Sequence, residues 1–143
     1  MKKAGKRTHT PLLVMTIETW KCNRSVCKDV ADPDWKRIER AVRDMSANGC
    51  SSMILERSDG RLMAIGGDGT KYVAHVLLPD RRLYQLMNPK PPENREELVP
   101  LVVGGQDSYS VAKYVVGRSD VLAAARSFFA SGEMDSQSHW ELN

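Results

Sequence analysis

Two turn signals, Ser58-Asp59-Gly60 and Asp68-Gly69, constrain what this chain can fold into more than anything else in it. Glycine tolerates the positive φ that tight hairpin turns require, so Asp-Gly between apolar runs marks antiparallel pairing. The runs are present: Met53-Ile54-Leu55 before the first turn, Leu62-Met63-Ala64-Ile65 between the two, and Tyr72 to Leu78 after the second. They predict an antiparallel meander over residues 51–78. Pro79-Asp80 ends it, and Leu83 to Met87 is a further short strand candidate.

The flanks must cover that sheet. Leu12 to Trp20 alternates and is read as a first strand, while the polar stretch Lys21 to Val30 is read as a loop. Asp32-Pro33 predicts a helix over about residues 33–47, with Asp32 as N-cap and Pro33 at the first helical position. Trp35, Ile38, Val42 and Met45 form its apolar face, and Asn48-Gly49 its stop. After a Pro-rich connector, Asn88 to Glu97, Leu98 to Val103 reads as a strand with an edge position, because Pro100 has no N–H to donate. Gly104-Gly105-Gln106-Asp107 is read as the following turn and Val111 to Val116 as the next strand. Ser119 is the expected N-cap of a second helix near residues 120–130, with Val121, Leu122, Ala125, Phe128 and Phe129 on one face and Gly132 as stop. Met134 to His139 is polar, and Trp140 follows. Helices apolar on one side must pack on a sheet. The expectation is an α+β domain: a single antiparallel β-sheet of about six strands with two helices packed on it.

Charge divides the chain. Its formal net charge is +3, but residues 1–14 contain Lys2, Lys3, Lys6 and Arg7 and no acid, leaving 17 basic and 18 acidic residues for the remainder. Residues 1–14 are read as a basic flexible tail and residues 15–143 as one domain. A near-neutral domain argues against a nucleic-acid stripe. No apolar run approaches the roughly 20 residues of a membrane helix, and Glu18 and Lys21 interrupt the one run that could serve as a signal-peptide core. A cytoplasmic, non-membrane protein is expected. Three cysteines, Cys22, Cys27 and Cys50, suit reduced thiols better than a disulfide framework.

The catalytic motifs fail on their chemistry. Cys22 and Cys27 with Cys50 lack the second close ligand pair of a structural zinc site. His139-Trp140-Glu141 matches the H-x-E that opens the zinc-deaminase signature, but no cysteines follow it. In Gly66-Gly67-Asp68-Gly69-Thr70-Lys71 the threonine precedes the lysine, and strand residues follow, which is no phosphate loop. There is no G-x-S-x-G elbow. His75 lies in a strand, and Glu96-Glu97 in the connector. The remaining signal is surface. Tyr109 beside the Gly-Gly turn and Trp140 near the end are candidates for partner contacts, although Trp140 could equally fold back to plug the core.

The pattern resembles a family of bacterial immunity proteins, the small antidotes of polymorphic toxin systems usually encoded beside deaminase-fold toxins. The resemblance runs from about Met15 to Glu141. It is carried by the helix with Trp35, by Ile54-Leu55-Glu56-Arg57 with Asp59-Gly60, and by Ala64-Ile65-Gly66-Gly67. Val102-Val103-Gly104-Gly105-Gln106 with Tyr109 follows, then Val121-Leu122-Ala123-Ala124-Ala125-Arg126-Ser127-Phe128-Phe129 with Gly132, and Trp140-Glu141. The basic tail and the insert from Cys22 to Val30 depart from the family pattern.

The resemblance implies a stoichiometric inhibitor, not a catalyst, and the residues give no reason to expect a metal or cofactor. It would bind a cognate toxin domain one-to-one and neutralise it in the producing cell. Asp68 and Gly69 on one hairpin, Gln106, Asp107 and Tyr109 on the other turn, and Trp140 are the expected toxin-binding residues. Gly66, Gly67, Gly104 and Gly105 would shape those turns, or be purely structural bulges. Three rival functions stand beside this one: an adaptor or chaperone for a secreted effector, a nucleic-acid-binding or membrane-surface-binding module using the basic tail, and a small enzyme with an unrecognised pocket.

Overall fold

A computed structural model describes residues 10–143. The basic side chains Lys2, Lys3, Lys6 and Arg7 lie outside the described residues. The strands are β1 (Leu13–Lys21), β2 (Arg24–Ala31), β3 (Cys50–Arg57), β4 (Leu62–Gly67), β5 (Tyr72–Leu77), β6 (Leu83–Met87), β7 (Leu98–Val103), β8 (Gln106–Val111) and β9 (His139–Leu142). The helices are α1 (Trp35–Arg43) and α2 (Arg118–Ser131). A seven-stranded antiparallel sheet has the order β2-β1-β3-β4-β5-β6-β9, and β7 and β8 form a separate two-stranded sheet. The α+β class and the main antiparallel sheet are those expected from the sequence; the main sheet has one strand more, and the last hairpin leaves it.

Strand alternation sorts the main sheet into two faces. Met15, Met53, Leu55, Met63, Ile65, Ala74, Val76 and Leu86 point to one face and join Ile38 and Val42 of α1 and Val121, Ala124, Ala125 and Phe128 of α2 in one core. Both helices therefore lie on that face. Trp35 and Phe129 meet across their seam, with ring centroids 5.9 Å apart. The Tyr72 ring is fully buried in the same core, and its hydroxyl donates to the Val42 carbonyl at 3.1 Å. The second face carries Thr16, Ile54, Ala64, His75 and Gln85 in one cross-strand row. It is partly open, and the β7–β8 hairpin crosses one end of it.

Five local expectations are corrected. The segment from Lys21 to Val30 is the β1–β2 hairpin, not a loop. Its turn is Cys22-Asn23, with φ of 52° and 62°. It lacks an apolar alternation because β2 is an edge strand with almost no buried side. Helix α1 starts later and ends earlier than expected: Asp34 is the N-cap and accepts from the Arg37 amide at 2.8 Å, and Asp44 is the C-cap. Asp32, at φ 46°, instead accepts from the Leu12 and Leu13 amides and ends β2.

The Gly-Gly turn has only two residues, so β8 already begins at Gln106. The expected strand from Val111 to Val116 is instead a 3-10 turn, Ala112–Tyr114, followed by a single bridge from Val116 to Tyr72. Helix α2 is capped by Gly117, not Ser119, with the Asp120 carboxylate accepting from the Gly117 amide at 3.0 Å. Gly132 ends it in the left-handed region, as expected. The last residues add strand β9, which pairs with β6.

Candidate functional site

The β4–β5 turn is built around Asp68. Its Oδ1 accepts from the Thr70 amide (3.0 Å), the Thr70 hydroxyl (2.9 Å) and the Lys71 amide (2.9 Å). Partial burial alone would raise this carboxyl, but those donors and the Lys71 ammonium together hold it below its ordinary value. Gly69 has φ 101°, and a Cβ there would stand 2.7 Å from the Met45 carbonyl oxygen. Its own carbonyl accepts from Arg118 at 2.9 Å. Gly69 thus fastens the turn to the end of α1 and the start of α2 and turns inward.

The second element is the β7–β8 hairpin. Gly104 and Gly105, with φ of 60° and 76°, form its two-residue turn, which glycine accommodates without a Cβ clash. Val103 packs onto Gly66, where a Cβ would lie 2.6 Å from Val103 Cγ1. Gly66 is therefore what lets the hairpin lie on the sheet's second face. A Cβ on Gly67 would meet the Tyr72 ring at 2.4 Å. The four glycines are contact positions for neighbouring elements, and Gly104-Gly105 is also a turn.

The two elements meet. A shallow cleft of about 300 Å³ lies between them, lined by Asp68 and Lys71 from one side and by Pro100, Val102, Asp107 and Tyr109 from the other. The Lys71 ammonium donates to the Pro100 carbonyl and ties them together. Pro100 pairs with Tyr109 in the register, and by alternation from the two-residue turn its missing N–H faces away from β8, so no ladder bond is lost. Asp107 is exposed, and Tyr109 is 69% exposed. Asp107, Tyr109, Pro100 and Val102 occupy one face of the hairpin.

The structure thus brings Asp68, Asp107 and Tyr109 together. Gln106 is exposed but alternates to the other face of β8. Trp140 is elsewhere: it pairs with Leu86 on β6, packs against the core, and donates its indole N–H to the Asp135 carbonyl at 3.2 Å. It plugs the sheet edge. Sequence reasoning missed Lys71 and Pro100 as cleft residues, because nothing in their neighbourhoods signals a contact between segments about thirty residues apart. It also missed Ser51, a buried serine whose hydroxyl accepts from the Gly105 amide at 2.7 Å and holds the hairpin tip.

Elsewhere, burial pushes the His75 imidazole below its ordinary range on the sheet's second face. Burial likewise pushes the Cys50 thiol above its ordinary value, while Cys22 and Cys27 are exposed, and all three are free thiols. Among the described residues no group of three or more His, Cys, Asp or Glu could hold a metal ion, and no helix is long and apolar enough to cross a membrane. In chemical terms the cleft offers recognition: an amphipathic ring, a free Asp107 carboxylate and the second oxygen of Asp68. No protein-family description and no curated protein sequence matches this chain.

Proposed function

We propose that this chain is an immunity protein of a bacterial polymorphic toxin system. It binds the cognate toxin domain one-to-one in the cytoplasm of the producing cell and blocks it without catalysis or a cofactor. The resemblance set out above suggests a deaminase-fold toxin. One observation carries the placement of the interface: Asp68, Asp107 and the exposed Tyr109 line one cleft although about forty residues separate the two segments. The hairpin is held at its tip by Ser51 and at its side by Lys71. A loop fixed before binding loses little conformational entropy on docking, which is what tight inhibition requires. A deaminase pocket accepts a flat nucleobase, and a tyrosine ring flanked by carboxylates has the shape and hydrogen-bonding groups to occupy its entrance.

The test is calorimetric titration of the purified toxin domain encoded by the neighbouring gene, with toxin activity assayed at each ratio. Tight one-to-one binding with activity lost at equivalence is expected. Tight binding with activity retained would make the chain an adaptor. No binding at micromolar concentration would overturn the assignment for that pair.

A further inference from the structure

We infer that a groove between α1 and the edge strand β2, which shares no lining residue with the cleft above, is a second docking surface that takes an acidic extended segment of a partner protein as an added strand. The inference does not rest on the toxin-binding reading. Among the described residues strand β2 pairs only with β1 and forms the edge of the seven-stranded sheet. The two-residue turn sets Lys21 opposite Arg24, so Arg24, Val26, Lys28 and Val30 bond to β1, and Ser25, Cys27 and Asp29 direct their N–H and C=O groups outward. That free edge is the backbone half of a β-augmentation site.

The side-chain half lies beside it. A groove of about 430 Å³ is walled by Lys36, Arg37 and Arg40 of α1 and by Val30, with Pro33 at its end. It continues past Arg37 and Arg40 into a smaller recess of about 200 Å³ with Ile17, Ala41 and Cys50. Lys28 pairs with Ile17 in the register and so shares this face with Arg24.

The charges are unbalanced in use, if not in number. Among the described residues Arg24, Lys28, Lys36, Arg37 and Arg40 form no ion pair. The nearby carboxylates are engaged by backbone amides: Asp34 caps α1, and Asp32 accepts from Leu12 and Leu13. Asp44, at the far end of the recess, is the exception. Glu39 pairs with Arg43 at 3.2 Å. On the opposite face of β2, Asp29 accepts from the Thr16 hydroxyl.

This charge pattern selects the occupant. Lysine and arginine on an edge discourage pairing with a second copy of the same strand, whereas a segment placing carboxylates toward α1 would pair them with four or five cations. A nucleic acid would make no use of the strand edge, and the groove has no aromatic residue among its lining for base stacking.

The experiment uses the full chain and a fluorescein-labelled peptide of about ten residues alternating glutamate with valine, read by anisotropy at low salt and by amide hydrogen exchange. Saturable binding is expected, with the Ser25, Cys27 and Asp29 amides gaining protection. The combined Arg37→Glu and Arg40→Glu variant should weaken binding by about tenfold or more. Cys27→Pro should do the same, since it removes an outward N–H and leaves the β1 ladder intact. If the proline disturbs the hairpin, the charge variant still decides. The proposal is overturned by no binding up to millimolar peptide, by equal binding of a lysine–valine peptide, or by protection confined to other strands. It is equally overturned if a short DNA duplex displaces the peptide with a steep salt dependence, or if the chain self-associates through β2 in sedimentation.

Discussion

The Trp20 indole lies against the Cα of Gly105, so close that a Cβ on Gly105 would stand 2.3 Å from its Cδ1 and 2.5 Å from its Nε1. This contact joins the end of β1 to the tip of the β7–β8 hairpin, 85 positions later in the chain. The indole nitrogen is buried there and has no hydrogen-bond partner among the described residues. The Ser51 hydroxyl anchors the same hairpin tip by accepting from the Gly105 amide.

Gly105→Ala should therefore destabilise the fold through both the positive φ and the clash with Trp20, by about 1–3 kcal/mol. Trp20→Ala combined with Gly105→Ala should cost less than the two singles added together, because the clash is then gone. Chemical denaturation of the four proteins of this cycle checks it; strict additivity would show that the contact carries no coupling.

Arg57 caps the carboxyl end of α2. Its Nη1 donates to the Phe128 carbonyl at 3.1 Å and lies 3.4 Å from the Phe129 carbonyl, while Arg61 donates to the Gly132 carbonyl at 2.9 Å. A guanidinium at this end meets the negative pole of the helix as well as its orphan carbonyls. Arg57→Ala should lower stability by about 1–3 kcal/mol, and Arg57→Lys should restore part of it. Thermal unfolding of the three proteins reads this out, and an unchanged midpoint for the alanine variant would dismiss the cap.

Asp107 and Tyr109 are exposed and serve the fold little. Replacing both with alanine should leave stability within about 0.5 kcal/mol. If the cleft is the toxin interface, the same change should weaken toxin binding by about 2 kcal/mol or more. Unchanged affinity would remove the hairpin from the interface.

His75 gives a pH signature. Its folded-state pKa is depressed by burial from the ordinary 6.5. Below pH 6.5 the unfolded chain takes up a proton that the folded chain resists, so this stabilising contribution, full above that value, is lost as pH falls through the folded pKa. Stability of the parent should fall relative to His75→Gln as pH drops below 6.5. Parallel curves for the two proteins between pH 7 and 5 would argue that the imidazole titrates as it does in the unfolded chain.

The meander, both helices and the Gly132 stop follow from the chain by itself, because Asp-Gly turns and apolar periodicities are set by neighbours a few residues apart. Edge strands β2 and β9 were illegible for a physical reason: a strand with little buried surface leaves no alternation to read, and only its partner's hydrogen bonds define it. The same holds for β8, whose Gln106-Asp107-Ser108 reads as turn residues until β7 lies beside it. Asp68, Asp107 and Tyr109 could be named from turn chemistry and residue type. Only the tertiary structure could put them in one cleft, separate Gln106 from them by strand alternation, and fold Trp140 back onto the core. The cleft depends on Gly66 admitting Val103, Gly105 admitting Trp20 and Lys71 reaching Pro100, and the place of Trp140 on β9 pairing with β6, all of them close approaches between segments that the sequence holds far apart.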